Sequence, residues 1–440
     1  MDFSLRLLLA TMLCLAWGLL AARAWRRASR RSGAIAPTGG GTLPVIYASQ
    51  TGYAAGLALQ AVQAIGTDKA QAVALEKINP AFLQQAGRAL FIISTTGEGD
   101  PPDSAWPFVS RHMAGSAPRL DGVHYGLLAL GDRRYRHFCG FGQQMRQWLQ
   151  AGGARPLFAP VLADSEDAGS MSEWTRHLAQ HFGATPSAHA SETPPWRLQA
   201  RRLVNAGSLG QPCYLLTFVC KGDTLAWQAG DIARVAIPGT GEWRDYSIAS
   251  LPADGVLQLL IRLQKGPDGN NGKGSGWLTQ TLPLGGNVQI CLRQNPGFHL
   301  LPGEAPAIFI GNGTGIAGLR SLLKARMAQG LFNNWLILGE RQAGIDEPFG
   351  EELRRLAHEG CIAPLHLTFS RDGKAPRYVY EALALQRDSL CQWVDRDAAI
   401  YVCGSRQGMA ADVDSTLRQV LGETRYHALR LAGRYRRDVY

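Results

Sequence analysis

Short apolar runs alternate with amphipathic stretches through most of this chain. Residues 43–49 (LPVIYAS), 90–95 (LFIIST) and 125–131 (YGLLALG) are apolar runs of strand length, and helical stretches such as 54–64 and 142–151 separate them. Buried strands alternating with helices predict a parallel, doubly wound sheet over 43–183. A Pro/Ser/Thr-rich stretch, 184–196, reads as a linker. Over 197–303 the texture changes. The runs 214–220, 232–237, 256–263 and 288–292 are β-rich and divided by Gly and Pro turns, which predicts a small antiparallel barrel. Over 304–440 strand and helix signals alternate again, with strands expected at 307–310, 335–339, 365–369 and 399–403. The expected fold is therefore multidomain α/β: a doubly wound sheet, an antiparallel β-barrel, then a second parallel α/β domain.

The amino-terminal pattern differs. Residues 7–22 (LLLATMLCLAWGLLAA) contain no charge, with Arg6 before them and Arg23, Arg26, Arg27, Arg30 and Arg31 after. Flanking arginines can snorkel, so this run predicts a single transmembrane helix, with 1–33 as anchor and basic flank and 34–42 as tether. Positive charge on the carboxyl side places the body in the cytoplasm, at the inner membrane. The rival reading is a cleavable signal peptide with small residues at Ala22 and Ala24.

Charge narrows the picture. The chain of 440 residues has a formal net charge of +10, concentrated in residues 1–33 and 425–440. The body between is close to neutral, so no basic stripe points to nucleic acid. Eight Cys occur without a C-x-x-C pair or zinc-type spacing, so no structural metal site is expected.

Candidate chemistry lies in loops that follow the expected strands, where such sheets bind ligands. Ser49, Gln50, Thr51 and Gly52 close the first strand and open a helix, a place suited to a phosphate. Ser94–Pro102 (STTGEGDPP) and Leu130–Tyr135 (LGDRRY) follow the next two. In the barrel, Arg244 and Tyr246 stand two apart on one strand face, beside Ser247. An aromatic ring next to a guanidinium suits a flavin with its pyrophosphate. The loop carrying Gly272, Gly274 and Ser275 can offer backbone N–H groups to phosphate oxygens. Gly311–Ala317 (GNGTGIA) follows a strand and precedes a helix, a pyrophosphate loop in type.

Together these motifs, over about residues 43–440, resemble the diflavin reductases: a flavodoxin-like FMN domain fused to a ferredoxin–NADP reductase-like FAD and NADP module. The resemblance implies that Ser49, Gln50, Thr51, Gly52 and Ala54 hold the FMN phosphate. It implies that Thr95, Thr96, Gly97 and Gly131 line the ring, that Tyr135 stacks on it and that Asp132 positions the loop. FAD would be held by Arg244, Tyr246, Ser247, Gly272, Gly274 and Ser275, with Tyr440 stacked on its ring. NADPH would be held by Gly313, Thr314, Arg341, Ser370, Arg371 and Tyr378. Ser247, Cys403, Asp438 and Tyr440 would surround the site of hydride transfer. Tyr53 replaces a small residue of the phosphate loop, Thr96 a second aromatic, Asn312 a Pro and Pro376 a Lys. The helical insertion that some members carry before the barrel is absent. The implied activity passes electrons from NADPH to FAD to FMN and on to an external one-electron acceptor, a haemoprotein or iron redox protein docking at the FMN domain. Glu98, Asp100, Asp103 and Asp132 could offer that partner an acidic face. The alternatives are a ferric-chelate or quinone reductase, a sulfite reductase flavoprotein component and, from another class, a non-catalytic flavin-binding module.

Overall fold

The computed structural model describes residues 42–133, 135–164, 167–185, 195–220, 226–266 and 268–440. The first apolar runs form the parallel strands β1 (Leu43–Ala48), β2 (Ala70–Ala74), β3 (Arg88–Ser94), β4 (His124–Gly131), β5 (Arg155–Pro156) and β6 (Val161–Asp164). Their order is β2-β1-β3-β4-β5, with β6 also on β4. The strands are apolar on both faces because helices cover both. Helices α1 (Tyr53–Ile65) and α3 (Ala168–Phe182) bury Leu57, Val62, Trp174 and Leu178 against Val45, Leu90 and Leu128. Helix α2 (Gly140–Ala151) buries Phe141, Met145 and Leu149 on the opposite face. Chain order reverses between β1 and β3, so the loops after β1, β3 and β4 converge at one crevice.

The middle segment forms two antiparallel sheets. β7 (Trp196–Leu203), β8 (Cys213–Cys220), β11 (Leu257–Arg262) and β12 (Asn287–Val288) are ordered β11-β8-β7-β12, and β9 (Ile232–Ala236), β10 (Trp243–Ser247) and β13 (Ile290–Arg293) are ordered β10-β9-β13. An Ile248–Leu259 bridge links the two. They enclose Trp196, Phe218, Val235, Leu259 and Ile290.

The last segment is a five-stranded parallel sheet, β16-β15-β14-β17-β18, from β14 (Ala307–Asn312), β15 (Asn334–Glu340), β16 (Leu365–Phe369), β17 (Ala399–Gly404) and β18 (Tyr435–Val439). Helices α4 (Ile316–Ala328) and α5 (Gly350–His358) cover one face. Helices α6 (Val379–Leu385), α7 (Arg387–Asp395) and α8 (Ala411–Leu431) cover the other. Leu215, Leu260 and Phe298 of the middle segment pack into the same core as Phe309, Leu319 and Tyr401 of the last. The first domain has cores of its own.

The apolar run 7–22 and its basic flank lie outside the described residues. Among the described residues no helix is long and apolar enough to cross a membrane. Even α8, whose 21 residues form two helical pieces broken at Gly422 (φ +73°), carries Asp412, Asp414, Arg418, Glu423, Arg425 and Arg430.

Candidate functional site

The loop after β1 turns at Gly52, whose φ of +79° suits glycine, and delivers the chain into α1 without a side-chain cap. The first N–H groups of the helix are therefore left to a ligand. Ser49 Oγ is buried with no hydrogen-bond partner, which fits a phosphate oxygen at this place. Ala54 is buried just behind the loop. After β3, Thr95 Oγ1 accepts from Phe141 N–H (3.2 Å), and Thr96 Oγ1 donates to the carbonyls of Asp100 and Pro101 (3.2 Å each). Gly97 follows with φ +55°. Thr95, Thr96, Gly97, Gly131, Asp132 and Tyr135 line one cavity.

The Gln50 side chain is spent elsewhere. Its amide donates to Arg437 O (2.9 Å) and Asp103 Oδ2 (3.1 Å), and its oxygen accepts from Asp103 N–H (2.7 Å). Asp103 in turn pairs with Arg437 (Nε to Oδ2, 2.8 Å) and Arg430 (3.2 Å). Burial would push the Asp103 carboxyl up, but the two guanidiniums hold it below the ordinary range. Arg430 also lies 4.6 Å over the Trp106 ring. Asp103 is thus committed to the chain's own carboxyl-terminal strand, and its place in an acidic partner face is taken. A Cβ on Gly52 would come within 1.8 Å of Gln294 O, so the phosphate loop packs directly on the end of the middle segment.

Across this seam β10 carries Arg244 and Tyr246. A Cβ on Gly274 would meet Arg244 Cγ at 2.9 Å and the Tyr246 hydroxyl at 3.4 Å, so this bare backbone lies over both side chains. Such a cradle fits a pyrophosphate beside an aromatic ring. Arg244 pairs with Glu242 at 2.5 Å, and Ser275 Oγ accepts from Gln264 N–H at 3.0 Å, holding the Gly272 loop. The cavity of about 900 Å³ that the first-domain loops line is also lined by Trp243, Arg244 and Tyr440.

Ser247, Cys403 and Asp438 come from three strands. Ser247 Oγ donates to Asp438 Oδ2 (2.7 Å), and Cys403 Sγ lies 3.8 Å from that oxygen and 4.0 Å from Ser247 Oγ. Burial pushes both the Asp438 carboxyl and the Cys403 thiol up. Tyr440 is 58% exposed and lines the cavity, with its hydroxyl 3.0 Å from Thr314 Oγ1. A Cβ on Gly315 would fall 2.1 Å from Cys403 O, so the loop from Gly313 packs against the Cys403 strand end.

At the far side, Ser370 N–H bonds Glu340 O (3.0 Å) and Arg371 N–H bonds Arg341 O (2.9 Å), which sets the Ser370–Arg371 turn beside the Arg341 turn. Arg371 and Tyr378 are exposed, and Tyr378 stacks on Tyr380. The Arg341 guanidinium packs against Gly210 of the middle segment. Next to it Glu340 is buried, with Oε1 unpartnered and Arg262 3.5 Å from Oε2. Burial outweighs that arginine and pushes the carboxyl from 4.5 up to about 8. Unfolding then releases a proton, so the stability this group contributes is complete below its unfolded value and is lost as pH rises through its folded one. The melting temperature is expected to fall between about pH 5 and pH 8, and Glu340→Gln should flatten that fall. An equally steep fall in the variant would assign the trend to another group.

Among the described residues no cluster of His, Cys, Asp and Glu could hold a metal ion. What the fold defines is an oxidoreductase with a flavodoxin domain joined to a flavin- and nucleotide-binding module, an organisation similar to that of the diflavin reductases. Residues 45–177 match the flavodoxin family and residues 309–415 the oxidoreductase NAD-binding domain family. The chain is similar to the sulfite reductase [NADPH] flavoprotein alpha-component of Vibrio cholerae, at 26% identity over 96% of this chain and 92% of that protein. It is similar also to the same component from Neisseria meningitidis (24%, covering 96% and 95%) and Yersinia enterocolitica (26%, covering 92% and 91%). The alignment to the Vibrio protein runs over 564 positions, so that relative carries residues this chain lacks. The single-pass inner-membrane location expected from residues 7–22 does not stand. No spanning helix occurs among the described residues, and these relatives, matched over nearly their whole length, are named as sulfite reductase components.

Proposed function

We propose that this chain takes a hydride from NADPH at the Ser247–Cys403–Asp438 site and delivers single electrons, by way of FAD and FMN, to a separate acceptor protein. The observation that carries this reading is the shared cavity, lined from one side by the loops of Thr95–Gly97 and Tyr135 and from the other by Arg244 and Tyr440. When bound, the flavins supply the conversion of two-electron to one-electron chemistry. The chain's own residues orient and shield. The phosphate loop from Ser49 and Thr51 anchors FMN, and Arg244, Tyr246 and the Gly272–Ser275 loop anchor FAD. Gly313 and Thr314 hold the nucleotide pyrophosphate, while Ser370, Arg371 and Arg341 hold its 2′-phosphate. Tyr440 covers the flavin ring until nicotinamide displaces it. Asp438 stabilises the positive charge that develops on nicotinamide as its hydride leaves, with Ser247 holding the carboxylate in place.

Acid release from the purified chain should yield FMN and FAD in near-equal amounts, and NADPH should bleach both. Tyr135→Ala is expected to lower FMN content with FAD unchanged, because an aromatic stack contributes about 0.5–1.5 kcal/mol beyond burial. A chain that retains FAD alone after reconstitution with excess FMN would sink the two-flavin reading. The acceptor is a haemoprotein, and similarity to the alpha-components favours one of the sulfite reductase type. Anaerobic mixing of the NADPH-reduced chain with such a haemoprotein should reduce its haem within the turnover time; an unreduced haem points to an acceptor of another class.

A further inference from the structure

Among the described residues seven arginines line the cavity. Arg234 and Arg293 face Asp245, Arg244 faces Glu242, Arg418 faces Asp414, and Arg430 and Arg437 face Asp103. The Arg406 guanidinium alone among them has no Asp or Glu partner among the described residues. It leaves the last domain just after β17, in the short helical turn Arg406–Ala410. Its backbone is tied to the FAD side: Arg406 N–H donates to Tyr440 O (3.0 Å), and Tyr440 N–H donates to Gly404 O (3.1 Å). Its side chain crosses to the other domain. The guanidinium carbon lies 5.3 Å from the centroid of the Tyr135 ring, and a Cβ on Gly97 would fall 1.7 Å from Nη2. One half-buried cation therefore touches both the loop and the aromatic ring of the candidate FMN site, while its main chain holds the residue that covers the FAD site.

The geometry points to Arg406 as the charge-compensating residue of transfer between the flavins, a role that rests on the two-flavin reading above. When one electron leaves FAD and arrives at FMN, no bond forms or breaks and one negative charge crosses the seam. A guanidinium remains protonated throughout and gives up no proton. Fixed on the FMN side without an Asp or Glu partner, it stabilises the charge only after arrival and only while the domains are docked. Transfer is thereby favoured in the direction FAD to FMN. When the first domain separates to meet its acceptor, the cation stays behind and the electron becomes easier to give away. The same residue would thus pull the electron in and release it on undocking.

The full chain loaded with both flavins tests this by anaerobic spectroelectrochemical titration of the parent, Arg406→Gln and Arg406→Lys. A unit charge at contact distance lies between the aqueous and interior limits, which corresponds to about tenfold in an equilibrium constant. In Arg406→Gln the sharing of one electron is expected to shift about tenfold from FMN toward FAD, a fall of about 59 mV in the FMN potential. Arg406→Lys should stay within about twofold of the parent, since the charge is kept. Small-angle scattering should give one radius of gyration for all three, because Asp103, Arg430 and Arg437 still join the domains. An unmoved potential in Arg406→Gln overturns the inference, as does an equal shift in Arg406→Lys. A larger radius in Arg406→Gln also overturns it, since Arg406 would then be a docking peg. Absence of FMN from the parent would fail the two-flavin reading itself, and flavin analysis reports that separately.

Discussion

Asp438→Asn is expected to slow reduction of the chain's flavin by NADPH about 100-fold, which is the scale of removing one preorganised electrostatic partner from a buried site. Asp438 is 5% exposed, and its Oδ2 accepts from Ser247 Oγ. As a hydride leaves nicotinamide, positive charge develops on the ring, and a fixed carboxylate nearby lowers the barrier without having to reorient. Asparagine keeps the volume and loses the charge. Because burial pushes the carboxyl up, the ionised fraction of Asp438 grows as pH rises above the ordinary carboxylate range. The parent rate should therefore climb with pH and that of Asp438→Asn should stay flat. Ser247→Ala should slow the step less, and the double variant should fall short of the product of the two, since both act through one hydrogen bond. Stopped-flow absorbance under anaerobic conditions reads all four rates. A loss below threefold in Asp438→Asn would remove Asp438 from the hydride site.

Arg371→Ala is expected to weaken NADPH about 10- to 100-fold and leave NADH unchanged. Hydrogen bonds to a charged group contribute about 1.5–3 kcal/mol, which converts to that range. Arg371 is exposed, so no buried partner is orphaned by its truncation, and the backbone bond from its N–H to Arg341 O survives. The turn should keep its shape and lose only its cation. Dissociation constants for NADP⁺ and NAD⁺ separate the two nucleotides. Equal losses would place the 2′-phosphate elsewhere.

The central strands were legible because each is a continuous apolar run. β3, β4, β14, β15 and β17 are almost wholly buried, and pattern alone locates them. The strands that escaped notice have weaker texts. β2 (AQAVA) is Ala-rich, and β7 (WRLQARRL) carries three Arg and a register shift between Leu198 and Ala200. β18 (YRRDV) reads as a polar tail because Arg436 and Arg437 bond residues of other domains. The glycine loops were legible as motifs. Gln50, Asp103, Arg406, Arg430 and Arg437 were not legible as a seam, because local spacing carries no trace of a partner more than 300 residues away.

The hydrogen bond between Gln50 and Arg437 joins residues 387 positions apart, and that between Ser247 and Asp438 joins residues 191 apart. β18, which brings Arg437 and Asp438 to these partners, is an edge strand held in its sheet by β17 alone. Folding rates fall as contacts become less local, so the first domain, with a core of its own, can reach its native packing well before this strand is laid down. On the proposed function, competence to be reduced by NADPH is then the last property a newly made chain is expected to acquire. A polypeptide clipped before Tyr435 is expected to keep a folded first domain and, on the proposed function, to be mute toward NADPH. Such a fragment could still occupy the acceptor, competing with intact chains while delivering no current.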